Sequence, residues 1–153
     1  MNSKRIGVLA AALLTAGATI GAASPTVPRP VADLQVQLLG LRSAKGVVHL
    51  CLSTSVSRFL HCKDDPAALA RSVPASAAGR LDLGAVRAGT YALLVVHDEN
   101  RNGKLDMMMG IPREGFGFSN NPAMKPRAPK WEEIRFAMPA SPSVQQIRVR
   151  YVL

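Results

Sequence analysis

Oxygen donors recur at alternate positions in Asp98-Glu99-Asn100-Arg101-Asn102-Gly103-Lys104-Leu105-Asp106. Counted from Asp98 as the first position, Asp98, Asn100, Asn102 and Asp106 fall at positions 1, 3, 5 and 9, with glycine at 6 and an aliphatic residue at 8. A hard cation such as Ca²⁺ takes six to eight oxygens, and this spacing wraps a chain around one, with Lys104 offering its backbone carbonyl. Position 12 is Met109, where such loops carry a bidentate glutamate. Glu114 is the nearest downstream carboxylate that could complete the set, with Glu132 and Glu133 more remote. Two aspartates and two amides make a low charge count, so the expected affinity is weak, on the order of 10⁻⁴ to 10⁻³ M. The same residues suit a turn with no metal: Asn-Gly favours a hairpin, and Asx side chains cap their own backbone. Both readings stand on the residues alone.

Met107, Met108 and Met109 follow, then Phe116 and Phe118 in Gly-Phe-Gly-Phe. Such side chains either plug the end of a sandwich or form an exposed patch for a partner or an apolar ligand. Thioethers beside His97 could hold Cu(I), but copper sites more typically repeat M-x-M or H-x-M. The Gly-Phe run lacks the strand-to-helix context of a phosphate loop. Ser119 sits in Gly-Phe-Ser-Asn, outside the G-x-S-x-G elbow of serine hydrolases. His97, Asp106 and Glu114 could act as an acid–base set in a rim pocket, making the protein an enzyme or a small-ligand carrier. The expectation is instead a non-enzymatic protein whose 97–120 loop presents an apolar patch to an envelope component.

Alternating strands must hold that loop. Leu34, Val36 and Leu38 alternate with polar neighbours, as do Val48, Leu50 and Leu52. Thr90 to His97 is apolar on both faces, which suits a central strand. Gly89-Thr90-Tyr91 at its start could form a tyrosine corner, or Tyr91 could merely pack there. Leu81 and Leu83, Glu133 to Met138, and Val144 to Tyr151 suggest further strands. The stretch 54–78 looks irregular, with an alanine-rich piece suited to a short helix. No long segment keeps a helical period. The pattern predicts an all-β antiparallel sandwich of six or seven strands, immunoglobulin-like or prealbumin-like.

Lys4 and Arg5 precede an uncharged run from Ile6 to Ile20, and Gly21-Ala22-Ala23 offers a small-residue cleavage site before Ser24. That layout predicts a secretory signal peptide over residues 1–23 and a periplasmic or secreted product. The run falls short of the roughly 20 apolar residues a membrane span needs. Residues 24–30, Ser-Pro-Thr-Val-Pro-Arg-Pro, read as a flexible leader, and 31–153 as one domain. Loss of Lys4 and Arg5 from 19 basic side chains leaves 17 against 10 acidic, a formal +7. Scattered basic charge serves solubility or an anionic envelope, and export argues against nucleic acid as a partner. Cys51 and Cys62 both lie in the exported part, where such a pair forms a disulfide.

Gly89-Thr90-Tyr91-Ala92, His97-Asp98-x-Asn100-x-Asn102-Gly103-x-Leu105-Asp106 and Gly110-Ile111-Pro112-x-Glu114-Gly115-x-Gly117-Phe118-Ser119 make a long compound motif. Through it the chain resembles a bacterial exported family catalogued as domain of unknown function 2141. The resemblance spans roughly residues 31–153. It implies a secreted or periplasmic β-sandwich with no assigned activity. The methionine triplet and Arg127-Ala128-Pro129-Lys130-Trp131 depart from the family's usual residues, so any loop-borne ligand property need not carry over.

Overall fold

The computed structural model describes residues 28–153. The expected signal peptide and most of the expected leader lie outside the described residues. Among the described residues, no helix is long and apolar enough to cross a membrane.

Two sheets pack face to face. In the smaller, β1 (Val31–Leu39) is flanked by β4 (Arg80–Arg87), antiparallel, and by β10 (Ser143–Arg148), parallel. The larger runs β3 (Leu69–Pro74), β2 (Val47–Ser53), β5 (Gly89–Asp98) and β8 (Gly115–Phe118), with β9 (Phe136–Met138) paired to the start of β5. Between β5 and β8, a short hairpin of β6 (Met107–Met108) and β7 (Ile111–Pro112) projects from the sandwich.

The all-β sandwich is as the alternation predicts, and β5 lies between β2 and β8 as its two apolar faces require. One pair, β1 with β10, is parallel. β1 and β2 lie in opposite sheets. The immunoglobulin order instead pairs its first two strands within one sheet.

Inward-facing positions fill the space between the sheets. Leu34 and Val36 of β1, Val48 and Leu52 of β2, Leu93 and Val95 of β5, and Ile147 of β10 are all buried in one cluster. Each contributes about 1.5–3 kcal/mol by leaving water. Tyr91 bonds back to the Arg87 carbonyl through its hydroxyl at 2.9 Å, the tyrosine-corner contact.

Two segments differ from expectation. The alanine-rich piece is not helical: Leu69–Pro74 is a strand paired with β2 along its length. Asp65 accepts the Ala67 N–H at 3.1 Å and turns the chain there, and the ladder to β2 then overrides helix propensity. Glu133 begins no strand but belongs to a single helical turn, α1 (Trp131–Ile134), with its carboxylate accepting the Lys130 N–H at 2.8 Å. That turn drops Trp131 and Ile134 onto the outer face of β5, beside Phe59 and Ala92. Phe59 and Trp131 meet edge to face at 5.6 Å. The Cys51–Cys62 disulfide is present and pins the 54–62 connection over β2. Closing a loop of 11 residues contributes about 3 kcal/mol in the chain-entropy model.

The Gly-Phe-Gly-Phe of β8 divides by face. A Cβ on Gly115 would lie 2.5 Å from the Tyr151 ring, and one on Gly117 would lie 2.7 Å from Ile147 and 2.9 Å from the Arg148 carbonyl. The glycines therefore let the C-terminal segment close against the strand backbone, and the phenylalanines point the other way. Gly117→Ala is expected to lower stability by about 1–3 kcal/mol, because backbone as well as side chain must shift. Urea unfolding measures it, and an unchanged midpoint would contradict the close approach.

Candidate functional site

Residues 98–106 form an ordered loop held by its own side chains. Asp98, fully buried at the end of β5, accepts the N–H groups of Asn102 at 3.1 Å and Gly103 at 2.6 Å. His49 Nε2 lies 3.2 Å from the same carboxylate. Asn100 and Asn102 each accept a backbone N–H two residues on, from Asn102 and Lys104, and so form successive Asx turns. Their amide groups both donate to Asp106, at 2.6 Å and 2.7 Å. Gly103 takes φ +77°, as the sharp turn demands, and Arg101 also adopts a left-handed conformation.

Glu114 has a role that spacing did not reveal. Its buried carboxylate accepts the Glu99 N–H at 2.9 Å with one oxygen and the Asp106 N–H at 3.0 Å with the other. It clips the two ends of the loop together. Arg42 anchors the same rim from the β1–β2 connection. Its guanidinium contacts Glu99 at 2.6 Å, the Leu153 carbonyl at 2.7 Å and the Arg113 carbonyl at 3.0 Å, and stacks 4.3 Å over the Tyr151 ring. Gly46, at φ +76°, lets that connection pass against β5, since a Cβ there would sit 2.1 Å from the Asp98 carbonyl.

These partners set the electrostatics. Burial pushes the Asp98 carboxyl upward, but the bonds from Gly103, His49, Asn102 and Arg101 together outweigh it and hold it below the ordinary value. The Arg42 guanidinium, opposed by partial burial and helped by Ser43, lowers Glu99.

The predicted site residues separate into three groups. Asn100, Asn102 and Asp106 converge on one another, and with Glu99, Glu114, Arg42 and Arg113 the first and last of these line a polar hollow of about 200 Å³. Lys104 offers its N–H to Asn102 and is itself exposed. Among the described residues, no three His, Cys, Asp or Glu side chains gather as a metal-binding group. His97 stands apart. It is fully buried, its Nε2 meeting the Lys45 carbonyl at 2.8 Å and its Nδ1 the Tyr151 hydroxyl at 2.6 Å. A carbonyl can only accept, so Nε2 donates, and in the neutral ring Nδ1 then accepts from the phenol. The set of His97, Asp106 and Glu114 is therefore not assembled around a shared cavity.

The third group is apolar. Met107 and Met108 lie on the β6–β7 hairpin, whose tip is Met109-Gly110 at φ +50° and +79°. Met109 is 96% exposed, so the methionines do not plug the sandwich. On the outer face of the larger sheet, Leu94 and Val96 of β5 and Phe116 and Phe118 of β8 floor a groove of about 820 Å³. Met107 and Ile111 of the hairpin and Met124 of the following segment wall it. Phe116 and Phe118 meet edge to face at 5.9 Å. The second apolar face of β5, with Leu94 and Val96, and the alternation of β8 were the available signals for this groove. Met124 and the 121–129 wall carried none.

A two-layer β-sandwich with a self-capped rim loop and an apolar outer face is the class these features define. The chain belongs to the bacterial family described as "Uncharacterized protein conserved in bacteria (DUF2141)", whose model matches residues 36–146. No curated protein and no solved structure matches it.

Asp98 supplies a pH test. A carboxyl held below its ordinary value of 3.8 stabilises the fold above that pH, and the stabilisation is lost as pH falls through the depressed value. Asp98→Asn is expected to cost about 1–3 kcal/mol at neutral pH and to flatten the loss of melting temperature on acidification. Parallel melting-temperature curves for both proteins from neutral to acidic pH would contradict this.

Proposed function

We propose that this protein is an exported, non-catalytic binding module that takes an apolar ligand in the groove on the outer face of its larger sheet. The observation that carries this is the continuous floor of Leu94, Val96, Phe116 and Phe118 on a face that sandwich strands ordinarily turn to water. The groove falls in the size range of small-molecule sites. Leu105 of the 98–106 loop and Met107 and Ile111 of the β6–β7 hairpin form one wall of it. Export is supported by the layout of residues 1–23 and by the disulfide, which fits an oxidising compartment. A non-catalytic role is supported by His97, whose two ring nitrogens are both engaged in structural bonds. The ligand is a small molecule or an apolar segment of an envelope component.

Nile red, a neutral dye whose emission shifts in apolar surroundings, probes the groove. The chain from Ser24 onward is expected to bind it saturably. Met107→Asp and Ile111→Asp, at exposed positions, should weaken binding at least about tenfold while leaving the melting temperature unchanged. Absence of saturable binding by the unaltered protein would refute the groove reading.

A second proposal concerns the rim. Asn100, Asn102 and Asp106 already meet within hydrogen-bonding distance at a glycine turn, so Ca²⁺ could replace the two amide contacts on Asp106. With Asp98 and Glu114 satisfied by backbone N–H groups, the affinity would be weak. Calorimetric titration with millimolar calcium should give heat and a higher melting temperature for the native sequence but not for Asp106→Ala. If neither appears for the native sequence, the loop is a turn alone.

A further inference from the structure

The groove is apolar along its floor and cationic along its wall. Lys125, Arg127, Arg148 and Arg150 line it against a single carboxylate, Glu133. That carboxylate is already taken, by Lys125 at 2.5 Å and by Arg127 at 2.9 Å. Arg148 and Arg150 enter no ion pair among the described residues. Arg150 is nevertheless held in place, its guanidinium donating to the Pro122 carbonyl at 3.0 Å and the Asn121 carbonyl at 3.3 Å. A fixed guanidinium with a neutral anchor keeps its full charge for an incoming anion, and the N–H groups beyond those two bonds can donate to a carboxylate or phosphate.

The floor discriminates between occupants as well. One edge of β8 is paired with β5, and the other is closed by the exchange of backbone bonds between Phe116 and Arg150, at 3.0 Å and 2.8 Å. No strand edge is left along the groove floor for an added peptide strand, and a peptide laid there would bury backbone polar groups without partners. A polymethylene chain carries no such groups.

We infer that the ligand is a single-chain amphiphile with an anionic head group, its chain lying on Phe116 and Phe118 and its head group held by Arg148 and Arg150. This rests on the groove reading above and adds the ligand class to it. The anionic head would be drawn to the part of the groove wall where Arg148 and Arg150 enter no ion pair among the described residues. Chain length sets affinity, by about fourfold for each methylene buried. Head-group charge sets selectivity.

Displacement of Nile red by monomeric dodecanoate, dodecan-1-ol and dodecyltrimethylammonium separates these contributions. Dodecanoate is expected to bind at least about ten times more tightly than the alcohol, and the cation more weakly than either. The double variant Arg148→Gln, Arg150→Gln should bring dodecanoate to the affinity that the same variant shows for the alcohol. Arg148→Gln alone, at an exposed position, gives part of that loss should the double variant fold poorly. Equal affinity of acid and alcohol for the unaltered protein would overturn the inference while the groove reading stood. If none of the three displaces the dye, the inference fails, and the groove reading fails with it only where the dye itself does not bind saturably. Binding to phosphatidylglycerol vesicles without binding of monomeric dodecanoate would also overturn it, in favour of a membrane-surface role.

Discussion

The alternation of glycine and phenylalanine on β8 is the constraint from which the rest of the structure follows. Side chains on successive strand residues point to opposite faces. With no side chain inward at Gly115 and Gly117, the C-terminal segment closes to within van der Waals range of the strand backbone, and Tyr151 packs where a Cβ would stand. That closure brings the Tyr151 hydroxyl to His97 and the Tyr151 ring under Arg42. It also sends both phenylalanine rings outward, where they floor the groove. Core, rim and groove therefore share one cause.

The rim is rigid because its polar groups are satisfied locally. Asp98 and Glu114 are buried carboxylates that accept backbone N–H bonds from the loop and from its ends. Among the described residues, no buried side-chain nitrogen or oxygen lacks a partner. Charged acceptors of this kind contribute more than neutral ones, and losing either would leave several N–H groups unpaired. The β6–β7 hairpin that follows this loop carries Met109 in a left-handed conformation at its exposed tip, a placement that costs about 1–2 kcal/mol for a residue with a side chain. The same hairpin places Met107 and Ile111 in the groove wall.

Much of the architecture was legible in the residues. The period-two pattern of Leu34, Val36 and Leu38 placed β1, and the double-faced apolar run placed β5 at the centre of its sheet. Both are local signals that burial enforces directly. The Asx residues of 98–106 were legible as a loop, since turn chemistry is also local. What escaped were features set by distant partners. β3 depends on a ladder to β2 rather than on its own composition, and α1 on the hole between Phe59 and Ala92. The clip that Glu114 makes to the Glu99 and Asp106 N–H groups escaped because its partners are backbone groups, which a sequence does not display. His97 looked available because nothing nearby in the chain announces Tyr151 or the Lys45 carbonyl. The groove needed the fold itself, since Leu94 and Met124 meet only after the chain has turned twice.

Methyl NMR of the chain from Ser24 onward, titrated with monomeric dodecanoate, tests the central claim most directly. The account predicts saturable shifts of Met107, Ile111, Met124, Leu94 and Val96 methyls, while those of Leu34, Val36 and Val48 in the core stay fixed. Shifts spread evenly through the core, or none at the groove, would contradict it.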